Sequence, residues 1–260
     1  PETSLAAISV RLDGPDMTGE ITRRALMGMA AALPLGTAMP AMAQNCRVEN
    51  DAERRLHSDF AWLDRYAADN RVLIDSGTQT GIVFIGDSIT QGWKDKRPAF
   101  FTPGRVNRGI GGQTTPQMLL RMMADVIALK PRAVHIMAGT NDIAGNSGPM
   151  TQAMSRDNLA AMTTLARAHD MRVLLGAIPP AARFPWRPGL DTRTPIASLN
   201  RWLASHAEQT GAIWIDYHAV LDDGSGGMKR GLADDGVHPT EAGYALMERL
   251  IAPILAAQQL

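Results

Sequence analysis

Cysteine is almost absent: the 260 residues hold one, Cys46. A single thiol excludes an intrachain disulfide, and no cluster of cysteine and histidine at zinc-ligand spacing occurs along the chain. Cys46 reads as a plain thiol. A lipid-anchored cysteine competes with that reading because an apolar stretch precedes it, but Ala43-Gln44-Asn45 lacks the small and apolar residues such a site needs. An excess of either charge is also missing. The 26 basic residues are balanced by 26 acidic ones, so the chain offers no broad positive field for nucleic acid or an anionic membrane. Long uninterrupted apolar runs are lacking too. Pro34 and Pro40 break residues 25–43, leaving them short of the roughly 20 residues a spanning helix requires.

That same stretch has a positive reading. Thr22-Arg23-Arg24-Ala25-Leu26 precedes it, and Ala41-Met42-Ala43 ends it with a small-x-small cleavage pattern. Residues 17–43 are therefore expected to be a signal peptide of twin-arginine-like type, starting at Met17, with export to the periplasm or beyond. Residues 1–16 are expected to be upstream sequence. Residues 44–260 are expected to form one domain, without stable membrane insertion once the leader is removed.

A composition of 45% hydrophobic and 20% charged residues allows one sizeable core. Leu56, Phe60, Leu63 and Tyr66 or Ala67 predict an amphipathic helix over 49–68. Apolar, β-branched runs predict strands over 82–85, 105–107, 133–137, 172–178 and 212–216, and their continuous hydrophobicity implies burial on both faces. Helical patterns cover 116–129, 154–168, 195–209 and 241–256, with Met118, Met122 and Met154 as core filling. This alternation predicts an α/β fold, a three-layer α/β/α sandwich with a mostly parallel, flavodoxin-like five-stranded sheet. Residues 179–195 hold five prolines and two aromatics and predict a long loop, either over a site or as a surface excursion.

In an open parallel sheet, ligands bind beyond the carboxyl ends of the strands, so those positions carry the functional signal. They read Gly86-Asp87-Ser88-Ile89-Thr90, Gly109-Ile110-Gly111-Gly112-Gln113-Thr114 and Gly139-Thr140-Asn141-Asp142, with Asp235-Gly236-Val237-His238-Pro239 ahead of the last helix. A serine hydroxyl becomes nucleophilic when a base takes its proton, and His238 is a candidate base for Ser88. Asp235, three residues earlier, can hold the other ring nitrogen and fix the tautomer. Two competing architectures fail. No GxSxG elbow occurs, since Thr90 stands where its second glycine would be. The dinucleotide fingerprint stops at Thr114, and Asp125 falls inside a predicted helix.

The four blocks GDSIT, GIGGQTT, GTND and DGVHP resemble the signature of the SGNH, or GDSL-type, hydrolases over residues 81–260. The usual leucine of the first block is here Ile89, a difference of packing. The resemblance implies a serine-dependent carboxylic ester hydrolase with Ser88, Asp235 and His238 as the triad. It implies an oxyanion hole from the backbone N–H groups of Ser88 and Gly112 and the side-chain amide of Asn141. Gly112 is chosen over Gly111 because the family's working glycine directly precedes a polar residue, here Gln113. No metal or organic cofactor is implied. GIGGQTT and PWRPG are similar to short-acyl esterases, including carbohydrate deacetylases and platelet-activating-factor acetylhydrolase-like enzymes. The expected substrate is thus a small-molecule or carbohydrate ester with a short, acetyl-like acyl group.

Substrate-contacting candidates are Arg183, Trp186 and Arg187, with Trp186 equally readable as a packing anchor. Asp87 is a further candidate, expected mainly to order its turn. A lysophospholipase or thioesterase is the alternative enzyme, and an inactive carbohydrate-binding protein on the same fold is the alternative of a different class.

Overall fold

No polar residue interrupts Ile82-Val83-Phe84-Ile85, and in the computed structural model, which describes residues 50–260, this run forms the central strand β1 (Ile82–Gly86). It is buried along its whole length, as is β3 (Ala133–Met137) beside it. The expected leader over 17–43, the upstream residues 1–16 and Cys46 lie outside the described residues. β2 (Arg105–Gly109), β4 (Arg172–Gly176) and β5 (Ile213–Ile215) complete a five-stranded sheet in the order β2-β1-β3-β4-β5. Every pairing is parallel.

Helices cover the two faces and give the three-layer α/β sandwich with flavodoxin-like strand order. The longer ones are α3 (Ser88–Lys96), α4 (Thr115–Asp125), α6 (Gln152–Ala168), α7 (Arg193–Thr210) and α9 (Glu241–Ala257). Two short ones are α5 (Thr140–Ala144) and α8 (Tyr217–Leu221). Met118 and Met122 are fully buried in the core, as expected, but Met154 is not. It lies in the exposed first turn of α6, right after the Thr151 cap.

The single helix expected over 49–68 is broken into α1 (Asp51–Ser58), a short 3-10 turn over Leu63–Arg65 and α2 (Ala67–Asp75). Asp59 is the cause. Its carboxylate accepts from the backbone N–H groups of Leu63 (2.8 Å) and Asp64 (3.1 Å), an alternative to the helical ladder that short polar side chains readily offer. Trp62 takes a left-handed conformation at φ 53° in the same turn. As a result Leu56, Phe60 and Leu63 stay exposed, while Tyr66 is buried and donates to the Gly109 carbonyl at 2.5 Å.

Register brings the site together. Gly86 is level with Gly109 of β2 on one side and with Met137 of β3 on the other. Three of the four motif loops therefore leave the sheet at the same height, around β1, where the strand order changes direction. α3 begins almost in contact with the end of β2: a Cβ on Gly109 would sit 2.1 Å from the Gln91 nitrogen, so only glycine fits.

Candidate active site

Asp87 caps the N-terminus of α3 by accepting from the Ile89 N–H at 2.9 Å, which sets Ser88 at the first helical position. The Ser88 hydroxyl then meets the His238 Nε2 at 2.8 Å. His238 arrives from the loop before α9, 150 residues away in sequence. Its Nδ1 lies 2.8 Å from Asp235 Oδ2. Asp235 Oδ1 accepts from the backbone N–H groups of Val237 (2.9 Å) and His238 (2.8 Å), which ties the loop into one rigid turn. Partial burial works against ionisation of Asp235, but the N–H groups and ring of His238 and the N–H of Val237 outweigh it and hold the carboxyl below its ordinary range.

The donors expected of the second and third blocks are placed as follows. The Gly111 N–H is already engaged with Gln91 Oε1 at 2.8 Å, whereas among the described residues no hydrogen bond engages the Gly112 or Ser88 N–H. Gly112 has φ 78°, the left-handed region that glycine enters without strain. A Cβ built on Gly111 would lie 3.7 Å from the Ser88 Cβ, so this turn rests against the serine. Asn141, near the start of α5, is buried. Its Nδ2 donates to the Gln113 carbonyl at 3.0 Å and lies 3.4 Å from Asp87 Oδ2. Ser88, Gly112, Asn141, Asp235 and His238 thus share one end of the sheet.

Asp87 lies beneath them and is buried. Burial pushes its carboxyl up to about 6, with the Ile89 N–H and the nearby His238 pulling the other way. Next to Asn141, Asp142 faces inward as a clamp. It accepts from the Thr115 N–H (3.0 Å), from the Thr115 hydroxyl and from Ser155 (3.0 Å), joining α5 to α4 and α6.

The loop after β4 delivers Trp186 to the same place. Its ring stacks on buried Phe184 with 5.2 Å between centroids, and lies 6.1 Å from the His238 ring, with 38% of the residue exposed. Both readings of Trp186 therefore have a structural counterpart, an anchored ring and a face beside the imidazole. Arg187 turns to the backbone instead, donating to the carbonyls of Ala144 (2.5 Å) and Gly145 (3.4 Å). Arg183 is exposed and forms no hydrogen bond or ion pair among the described residues.

Sequence reasoning missed the support beneath the loops. Arg121 of α4 is fully buried, donating to Gln113 Oε1 (2.6 Å), the Gly86 carbonyl (3.0 Å) and Asp125 (3.0 Å). A charged pair four residues apart among the apolar positions of α4 was the available signal. Asn146, whose Nδ2 donates to Asn141 Oδ1 at 2.6 Å, offered no signal beyond its position in a loop. Among the described residues no group of three or more His, Cys, Asp or Glu is placed to hold a metal ion, and no helix is long and apolar enough to cross a membrane.

The model of the GDSL-like lipase/acylhydrolase family matches residues 84–246, a span that runs from β1 through the His238 loop into α9. A crystal structure of a GDSL-like lipase from Bacteroides thetaiotaomicron is 38% identical with a TM-score of 0.72, covering 76% of this chain and 99% of that one. Esterase TesA of Pseudomonas aeruginosa is 30% identical over 191 residues, 67% of this chain and 87% of that protein. The lipoprotein YqeF of Bacillus subtilis is 37% identical over 78 residues, so the match spans 28% of this chain and about a third, 32%, of that relative. Sequence, fold and relatives agree: the chain belongs to the GDSL-like lipase/acylhydrolase family and is a hydrolase.

Proposed function

We propose that the protein hydrolyses carboxylic esters of short acyl groups in two steps, with Ser88 as nucleophile. The observation that carries this reading is the unbroken chain from the Ser88 hydroxyl through His238 to Asp235, 2.8 Å at each link. Ser88 Oγ attacks the acyl carbon while its proton passes to His238 Nε2, and Asp235 stabilises the imidazolium. The oxygen that gains charge is received by the N–H groups of Ser88 and Gly112 and by Asn141 Nδ2. The carbon–oxygen bond to the alcohol then breaks, and the alcohol leaves with the proton from His238. Water, deprotonated by His238, attacks the acyl-serine; the acid departs and the proton returns to Ser88.

In this reading the two halves of the substrate take different sides of Ser88. His238 must reach the leaving oxygen, so the alcohol lies on its side of the site, where the exposed face of Trp186 offers a stacking surface for a sugar ring. The acyl group takes the other side, a cleft of about 260 Å³ against Gly112, lined by Leu56, Phe60, Trp62 and Ile110 together with the polar Gln113 and Gln117. Arg55 lies over the Trp62 ring at 3.8 Å and lines the same cleft, whose small volume favours acetyl and other short chains. Leu56 and Phe60, 39% and 37% exposed at the rim, favour a second reading as a lysophospholipase or thioesterase whose longer chain crosses that rim. The residues after the leader, 44–260, are assigned to one exported hydrolase domain.

Ser88→Ala tests the mechanism, with an expected loss of turnover of roughly 10³-fold or more and an unchanged fold. A variant keeping a tenth of the activity contradicts it. Nitrophenyl esters of graded chain length, followed by acetate release from acetylated xylan, separate the two substrate readings.

A further inference from the structure

We infer that the indole N–H of Trp186 sets the polarity of the Asn146 amide and, acting with the Gln113 carbonyl, keeps the donor end of Asn141 turned toward Ser88. This rests on the oxyanion role proposed for Asn141 and adds Asn146 and Trp186 as positioning residues. An indole nitrogen only donates, so the Asn146 atom facing Trp186 Nε1, 3.2 Å away, has to be its oxygen. The other end of Asn146 is then its NH2 group. That group faces Asn141 at 2.6 Å and requires an oxygen there, Asn141 Oδ1. The NH2 group of Asn141 is left facing the Gln113 carbonyl and Asp87, the residue before Ser88. Its one hydrogen goes to the Gln113 carbonyl at 3.0 Å, and its other points toward Asp87 Oδ2 at 3.4 Å, too long to hold it against a developing oxyanion.

Local backbone geometry makes the relay possible. α5 is five residues long and closes on Gly145, after which the Asn146 N–H returns to the Asn141 carbonyl at 3.0 Å. This tight 6→1 closure lays the two asparagine side chains over each other. Trp186 is held for its part by the stack on Phe184 and by the bonds of Arg187 to the carbonyls of Ala144 and Gly145, so the loop carrying the indole is fastened to the end of α5. A flipped Asn141 would present a carbonyl oxygen to the oxyanion, replacing attraction with repulsion.

Asn146→Asp tests the relay without changing shape. A carboxylate still accepts from Trp186 but has no hydrogen for Asn141 Oδ1, so it draws the Asn141 NH2 group away from Ser88. The expected result is a fall in kcat of about 10- to 100-fold with KM within about twofold, less than the roughly 100- to 1,000-fold cost of losing an oxyanion donor outright because the Gln113 carbonyl still holds the Asn141 NH2 group. In an Asn141→Ala background the same substitution should cost at most about threefold, the remainder owed to the added charge, because residues acting through one another are non-additive. Trp186→Phe, which keeps the ring and loses the N–H, should lower kcat by about two- to tenfold and likewise add little to Asn141→Ala. Equal losses in both backgrounds, or full kcat for Asn146→Asp beside a slow Asn141→Ala, overturn the relay and leave the oxyanion assignment standing. Full kcat for Asn141→Ala itself overturns both.

Discussion

Arg121 and Asp125, one turn apart on α4, form an ion pair with neither side chain exposed, and the same guanidinium holds the carbonyl of Gly86, two residues ahead of Ser88. Asp125 is held in turn by Asn70 at 2.7 Å, and Asn70 accepts from Arg108 at 2.8 Å. Taking two charges out of water is costly, and the surrounding bonds make the arrangement tolerable only as a complete set.

Arg121→Met therefore leaves the Asp125 carboxylate buried without its cation and should destabilise the protein by about 3–5 kcal/mol in urea unfolding. Replacing both partners by apolar residues should recover much of that loss. A single variant within about 1 kcal/mol of the parent contradicts this account of the network.

Much of this was legible in the sequence, and the exceptions have physical causes. The strands β1 and β3 announce themselves because burial on both faces allows no polar position, and the motif loops follow from where those strands end. The break at Asp59 was hidden, because the spacing of Leu56, Phe60 and Leu63 satisfies a helix whether or not a carboxylate takes the N–H groups of Leu63 and Asp64. α5 and α8 are shorter than a periodic pattern can reveal. The partners of the site were hidden more deeply: Arg121 reaches Gln113 and Gly86 across the fold, and Asn146 matters only through a side-chain contact made after a turn closes.

Asp87 predicts a pH dependence. Its carboxyl is raised from the ordinary 3.8 to about 6, chiefly by burial, so between those values the unfolded chain gives up a proton that the folded chain keeps. Stability from this group is present in full below about pH 4, falls as the pH rises to about 6, and is level above. Asp87→Asn retains an oxygen for the Ile89 N–H and lacks the ionisation, so its stability relative to the parent should improve with pH by on the order of 2–3 kcal/mol across that window. A constant difference from pH 4 to 7 contradicts the assignment.

Asp235→Asn should preserve the fold and abolish the preference for the productive His238 tautomer. Turnover should fall by about 10³- to 10⁴-fold with little change in KM. Steady-state kinetics at neutral pH reads the effect, and a loss below tenfold removes Asp235 from the proposed chain.

Selectivity tests the proposed placement of the acyl group in the cleft beside Gly112. Trp62→Ala removes the wall on which Arg55 rests and should raise kcat/KM for hexanoyl over acetyl nitrophenyl esters by about tenfold, the scale set by one or two methylenes against apolar side chains such as Leu56 and Phe60. An unaltered ratio places the acyl group elsewhere.

In the proposed reaction one hydroxyl, activated by an imidazole drawn from the far end of the chain, does the chemistry. The most direct test is peptide mapping by mass spectrometry after exposure of the folded protein to a fluorophosphonate. A single adduct on Ser88 is expected, lost in Ser88→Ala and strongly slowed in His238→Ala. An unmodified Ser88 in active protein, or equal labelling without His238, contradicts it.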